Sequence, residues 1–144
     1  VTFSVLLLGG LVIALSGPPA EASRAAAACA AALGVEEGPA LVSPRYLVSY
    51  RTRPERIEVG RHFTVELTVC PRIADGSRPD SVRVDARMPE HRHGMNYKAA
   101  VTAEGDGRYR ADGLLFHMPG RWELIFEVRA AGQTDRLTGS VDLE

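Results

Sequence analysis

The feature that most constrains this chain is a series of short period-two segments, about ten residues apart, each closed by Pro or Gly. Phe63, Val65, Leu67 and Val69 alternate with His62, Thr64, Glu66 and Thr68, and Pro71 follows. Val82, Val84, Ala86 and Met88 alternate with Arg83, Asp85 and Arg87, and Pro89 follows. Tyr97, Ala99, Val101 and Ala103 lead into Glu104-Gly105-Asp106-Gly107, a hairpin signal. Leu114, Phe116 and Met118 run up to Pro119-Gly120, and Trp122, Leu124, Phe126 and Val128 alternate with Glu123, Ile125, Glu127 and Arg129. Tyr46, Val48 and Tyr50 supply a first strand, Tyr109 and Ala111 a short one, and residues 137–143 the last. Alternation at this period marks strands with one buried face. No long amphipathic helix lies between them, so the crossovers of a parallel α/β sheet are missing. The pattern predicts an all-β fold: an immunoglobulin-like antiparallel β-sandwich of about seven strands over residues 44–144.

The N-terminal stretch reads differently. Val5–Leu15 is apolar apart from Gly9 and Gly10, a run shorter than the roughly 20 residues of a membrane span. Ser16-Gly17-Pro18-Pro19 breaks it, and Ala20-Glu21-Ala22 places small residues at the first and third positions before Ser23. This predicts a signal peptide over residues 1–22, cleaved before Ser23, although the stretch lacks the usual Lys or Arg. The alternative is an uncleaved N-terminal anchor. Residues 23–43 open with RAAAACAAALG, rich in helix formers with a Gly stop, and predict a short Ala-rich helix or linker. An exported chain reaches a periplasmic or cell-envelope compartment, where the two cysteines, Cys29 and Cys70, make a disulfide plausible. The competing reading is a free Cys29 and a buried Cys70 thiol.

Composition removes several functions. With 17 Lys+Arg against 18 Asp+Glu the chain has a net charge of −1, and no basic surface for nucleic acid is expected. Phosphate-binding loops, dinucleotide fingerprints and paired CxxC motifs are absent. No G-x-S-x-G elbow accompanies the histidines, and neither cysteine has the context of a nucleophile, so no enzyme is expected.

One segment concentrates donor chemistry. Met88-Pro89-Glu90-His91-Arg92-His93-Gly94-Met95 holds two of the chain's 4 His and two of its 3 Met. In extended backbone, His91, His93 and Met95 share one side and Arg92 points away. Imidazole with thioether suits copper: the thioether favours Cu(I), and imidazole accepts either oxidation state. Zinc gains little from thioether, and calcium or magnesium would need more oxygen than Glu90 offers. His117 ends a later strand with parity opposite to Leu114 and Phe116, and is a fourth candidate ligand if the two strand ends are neighbours. The expected site is therefore His91, His93, Met95 and His117, side chains within about 8 Å of a common centre, allowing one rotamer change each. Met95 stands between ligand and hydrophobic plug. Met88, Met118 and Trp122 have core parity, and His62 reads as an ordinary surface residue.

DARMPEHRHGMNY followed by GDGRYRADGLLFHMPGRWELIFEV resembles the YtkA-like/FixH-like family of exported or membrane-anchored domains. The match lies in Met88, Pro89, His91, His93, Gly94 and Met95, then Gly107, Tyr109, Met118, Pro119, Gly120 and Trp122. The resemblance implies an immunoglobulin-like fold and a link to copper handling and the assembly of membrane metalloenzymes. It implies a copper-binding accessory protein that delivers or buffers the metal, with a membrane metalloenzyme or copper-handling protein as partner. The competing expectation is an interaction module of the cell envelope that binds no metal and docks through its sandwich. Contact with a membrane is expected only through an uncleaved N-terminal segment.

Overall fold

A computed structural model describes residues 39–72 and 78–144, together with Arg24 and Ala31, which are exposed and helical. The signal-peptide region, Cys29 and most of the Ala-rich segment lie outside the described residues. Among the described residues, no helix is long and apolar enough to cross a membrane.

The sandwich is all-β: among the described residues, nine strands form two antiparallel sheets packed against each other. They are β1 (Ala40–Val42), β2 (Tyr46–Arg53), β3 (His62–Pro71), β4 (Ser81–Met88), β5 (His93–Gly94), β6 (Ala100–Gly105), β7 (Arg108–Leu115), β8 (Gly120–Ala130) and β9 (Gln133–Leu143). One sheet has the order β1-β2-β3-β7-β6 and the other β5-β4-β8-β9. Most of the alternating residues do what their parity requires; Thr68, with outward parity on β3, is buried, and Ala103, with inward parity on β6, is exposed. Val48, Val65, Val84, Met88, Leu114, Phe116, Trp122, Leu124, Phe126 and Val128 fill one core between the sheets.

Four further local features depart from simple alternation. β1 lies inside the segment expected to be helix or linker, pairing Leu41 with Val48, so the sandwich begins before residue 44. Tyr109 and Ala111 belong to the same strand as Leu114. The switch of parity between them is a bulge: Phe63 pairs with Leu114 but Val65 with Ala111, and Gly113 takes up the irregularity at φ +84°. Tyr97 precedes β6 and is exposed rather than buried, because the chain is there crossing from one sheet to the other. Ile125, whose parity assigned it to the outer face, is nevertheless buried. It sits between Asp85 and Thr138, flanked by the pairs Arg83–Glu127, Arg136–Glu127 and Arg87–Glu123. Long side chains on that face shield it from water while keeping their charged ends outside.

The two ends of the sandwich differ. At one end the β1–β2 turn is tied to β9: Asp135 accepts hydrogen bonds from Ser43 Oγ and from Arg45 Nε, the latter at 2.7 Å. Cys70 lies near this end, opposite Leu47, and is wholly buried and not a free thiol. At the other end, the ends of β4 and β7 and the start of β8 come together, and these carry the candidate ligands.

Candidate functional site

The site is built on the end of β4. Met88 turns inward and is fully buried, and Pro89 stops the strand. Residues 89–92 form a turn with Arg92 at φ +57°, and the chain returns as β5, pairing His93 with Met88 and Gly94 with Arg87. Met95 N–H extends the pairing by donating to the Ala86 carbonyl at 3.1 Å. Gly94 permits this close return, since a Cβ there would lie 3.2 Å from the Ala86 oxygen.

Directly paired residues share a face. Because Met88 points into the core, His93 faces the same way at the rim and is half-buried. The turn carries His91 back over it, and the two rings lie 5.8 Å apart. The extended segment expected from alternation is therefore replaced by a turn. The turn, and not the alternation, brings His91 to His93.

His117 arrives from the other direction. Phe116, just past the end of β7, lies in the core edge-on to Phe63, and the next side chain points to the rim. Its ring centroid is 5.1 Å from that of His93. Trp122 forms the wall behind them. The indole stacks on Phe116 at 4.4 Å, stands edge-on to His117 at 5.3 Å and to His93 at 6.0 Å, and donates to the Met118 carbonyl at 3.1 Å. That bond fixes the loop bearing His117. Gly120, at φ +119°, leaves room for the tip of Met88, whose Cε would lie only 2.8 Å from a Cβ there. Sequence parity assigned Trp122 to the core, where it is; its second role as a wall for two imidazoles had no sequence signal.

The three imidazoles form a row with His93 in the middle. His91 is exposed, while His93 and His117 are half-buried. His93 Nδ1 lies 3.2 Å from the Gly94 carbonyl; as a donor it leaves Nε2 with the free lone pair. His117 Nδ1 is buried without a hydrogen-bond partner. An unsatisfied buried polar atom costs about 1–3 kcal/mol. Among the described residues, no three His, Cys, Asp or Glu side chains gather into a group able to hold an ion together. Met95 is partly buried and packs against the core, as does Met118. His62 stands apart at the start of β3, exposed and edge-on to Tyr97 at 5.5 Å.

The fold and this rim define a β-sandwich domain whose loops gather imidazoles at one end. The YtkA-like family model matches residues 52–127, more than half of the chain, and the chain belongs to that family. The matched stretch contains His62, His91, His93 and His117, and runs from the end of β2 through most of β8. Neither a curated protein nor a solved structure matches the chain.

Proposed function

We propose that this domain is a copper-binding accessory protein of the cell envelope, taking the metal as cargo through His91, His93 and His117, with Met95 as a soft donor beside them. The observation that carries this reading is the imidazole row ending at a buried, unpaired His117 Nδ1. A nitrogen with no protein partner, adjacent to a second imidazole with a free lone pair, suits a metal ion that accepts nitrogen donors. The donor set fits copper better than calcium or magnesium, since it is nitrogen and thioether sulfur rather than oxygen. It offers no thiolate for a blue-copper centre, and we assign delivery or buffering rather than redox turnover or catalysis.

Export and the disulfide belong to the same proposal. Residues 1–22 act as a signal peptide, and Cys29 pairs with Cys70 in an oxidising compartment, tying the Ala-rich segment to the end of the sandwich remote from the histidines. The partner is a membrane metalloenzyme or another copper-handling protein. The second reading is a non-metal interaction module, favoured by the absence of a three-group cluster among the described residues. Titration of the full chain with Cu(I) and Cu(II) against a competing chelator separates the two. Copper binding that is lost in a His91→Ala/His93→Ala/Met95→Ala variant supports the first; equal, weak binding by both proteins leaves only the second.

A further inference from the structure

Resting on the copper reading, we infer that the row works in pairs: His93 and His117 hold the metal, and His91 is a separate outer ligand that receives it and lets it go.

Three observations carry this. The first is spatial. Metal–nitrogen bonds are about 2 Å, so two imidazoles sharing one ion have ring centroids no more than about 6 Å apart. Both neighbouring pairs meet that limit, at 5.8 Å for His91–His93 and 5.1 Å for His93–His117. His93 is common to both, and no cluster of three exists among the described residues. The arrangement is thus two overlapping pairs that share His93.

The second is the gradient of exposure. His91 lies on a turn in solvent, and His117 sits against the Trp122 and Phe116 wall with Nδ1 buried. An ion arriving from water meets His91 first. The third is the state of the nitrogens. His93 spends Nδ1 on the Gly94 carbonyl and keeps Nε2 free. His117 Nδ1 has no other partner to give up. The inner pair therefore gains more from the metal than the outer pair does, because ligation also relieves an orphaned atom.

The exchange balances without redox chemistry. His93 Nε2 keeps its bond throughout. The bond from His91 breaks as the bond to His117 Nδ1 forms, with the His117 proton carried on Nε2. Each bond is made through a nitrogen lone pair, so the exchange changes no oxidation state. Release runs the same steps in reverse, with the partner's ligand meeting the ion at His91.

The test uses the full chain and its His91→Ala, His93→Ala and His117→Ala variants with Cu(I) and a chromogenic chelator. Equilibrium competition gives affinity, stopped-flow mixing gives the rate of transfer to the chelator, and circular dichroism confirms that each variant is folded. Loss of a ligand costs at least what loss of a supporting partner does, so His93→Ala and His117→Ala should weaken binding by about 10–100-fold or more. His91→Ala should hold copper within about threefold of the parent yet transfer it roughly tenfold more slowly, since association and exchange can change while equilibrium affinity does not. If His91→Ala loses affinity as fully as His117→Ala, the metal is held by three imidazoles and the pairwise scheme is wrong. If it alters neither quantity, His91 is a bystander and the scheme is equally wrong. If the parent binds no more tightly than the His93 and His117 variants, the copper reading itself fails.

Discussion

Replacing Asp135 with Asn tests what holds the β1–β2 turn against β9. The Asp135 side chain is 9% exposed and pairs with Arg45, at 22%. Its Oδ2 accepts from Ser43 Oγ and, at 3.3 Å, from the Arg45 backbone N–H, while Oδ1 accepts from Arg45 Nε at 2.7 Å. Every group facing the carboxylate is a donor, so an Asn NH₂ must confront one of them. Hydrogen bonds to charged groups contribute about 1.5–3 kcal/mol, and stripping one partner from a fully buried pair costs about 3–5 kcal/mol. Arg45 retains some access to water, which places the loss near the lower end, about 2–3 kcal/mol. For a domain of this size that corresponds to a fall in Tm of about 10–15 °C. Urea unfolding followed by fluorescence of Trp122, the only Trp and wholly buried, reads it directly.

The effect has a defined pH dependence. Burial alone would raise the Asp135 pKa, but hydrogen bonds from Ser43 and Arg45 and the Arg45 charge outweigh it and hold the carboxyl below its ordinary value. A depressed carboxyl stabilises fully above the unfolded value, near 3.9, and the contribution disappears as pH falls through the folded value. The gap between parent and Asp135→Asn should therefore be widest at neutral pH and narrow below about pH 4. A gap under about 0.5 kcal/mol at pH 7, within the range of ordinary surface substitutions, would refute the reasoning, as would a gap that does not change with pH.

Three further substitutions probe the rest of the fold. Gly139→Ala drives a Cβ into the Tyr50 hydroxyl oxygen; denaturation should show a loss of about 1–3 kcal/mol, partly recovered in a Tyr50→Phe background. Gly107→Ala sets a side chain at φ +77° and 2.7 Å from the Val69 carbonyl, which belongs to the residue whose N–H bonds Gly107. It should lower the unfolding midpoint by more than Gly105→Ala, where φ is +92° but a Cβ meets nothing within 4 Å. Trp122→Phe leaves the Met118 carbonyl without its donor and a gap behind two imidazoles. A stability loss of about 2 kcal/mol is expected, with faster hydrogen exchange in the 116–119 loop.

The sandwich was legible because its strands are buried mainly on one face, so Phe63, Val65 and Leu67 announce themselves against His62, Thr64 and Glu66; only toward the end of β3 does Thr68, with outward parity, become buried as well. The exceptions have local causes that alternation cannot express. The parity break before Leu114 is a bulge at Gly113, and Ile125 is buried by the charged side chains around it rather than by the core. β1 was obscured because its three residues follow an Ala-rich stretch and Gly-Pro, and take their strand conformation from pairing with β2. At the rim, His91 and His93 were visible as a local cluster, and His117 by its opposite parity. Their meeting depends on how the sheets place β5 against the β7–β8 loop, which is tertiary information. Met95 illustrates the limit: spacing offered it equally as donor and as plug, and the structure packs it against the core.

The length of β8 has a further consequence. From Gly120, beside the histidines, to Ala130, whose carbonyl accepts from Arg45, the strand spans 11 residues, about 33 Å from first to last at the rise of an antiparallel strand. Effects of substitutions separated by more than about 10 Å, with no partner in common, add. The turn around His91 and the loop around His117 can therefore be rebuilt without loosening the Ser43–Arg45–Asp135 tie, and the tie can be tightened without touching the imidazoles. Such a domain can drift in ligand chemistry at one end while its scaffold is tuned at the other, two traits carried by one short chain whose energetic effects add almost independently.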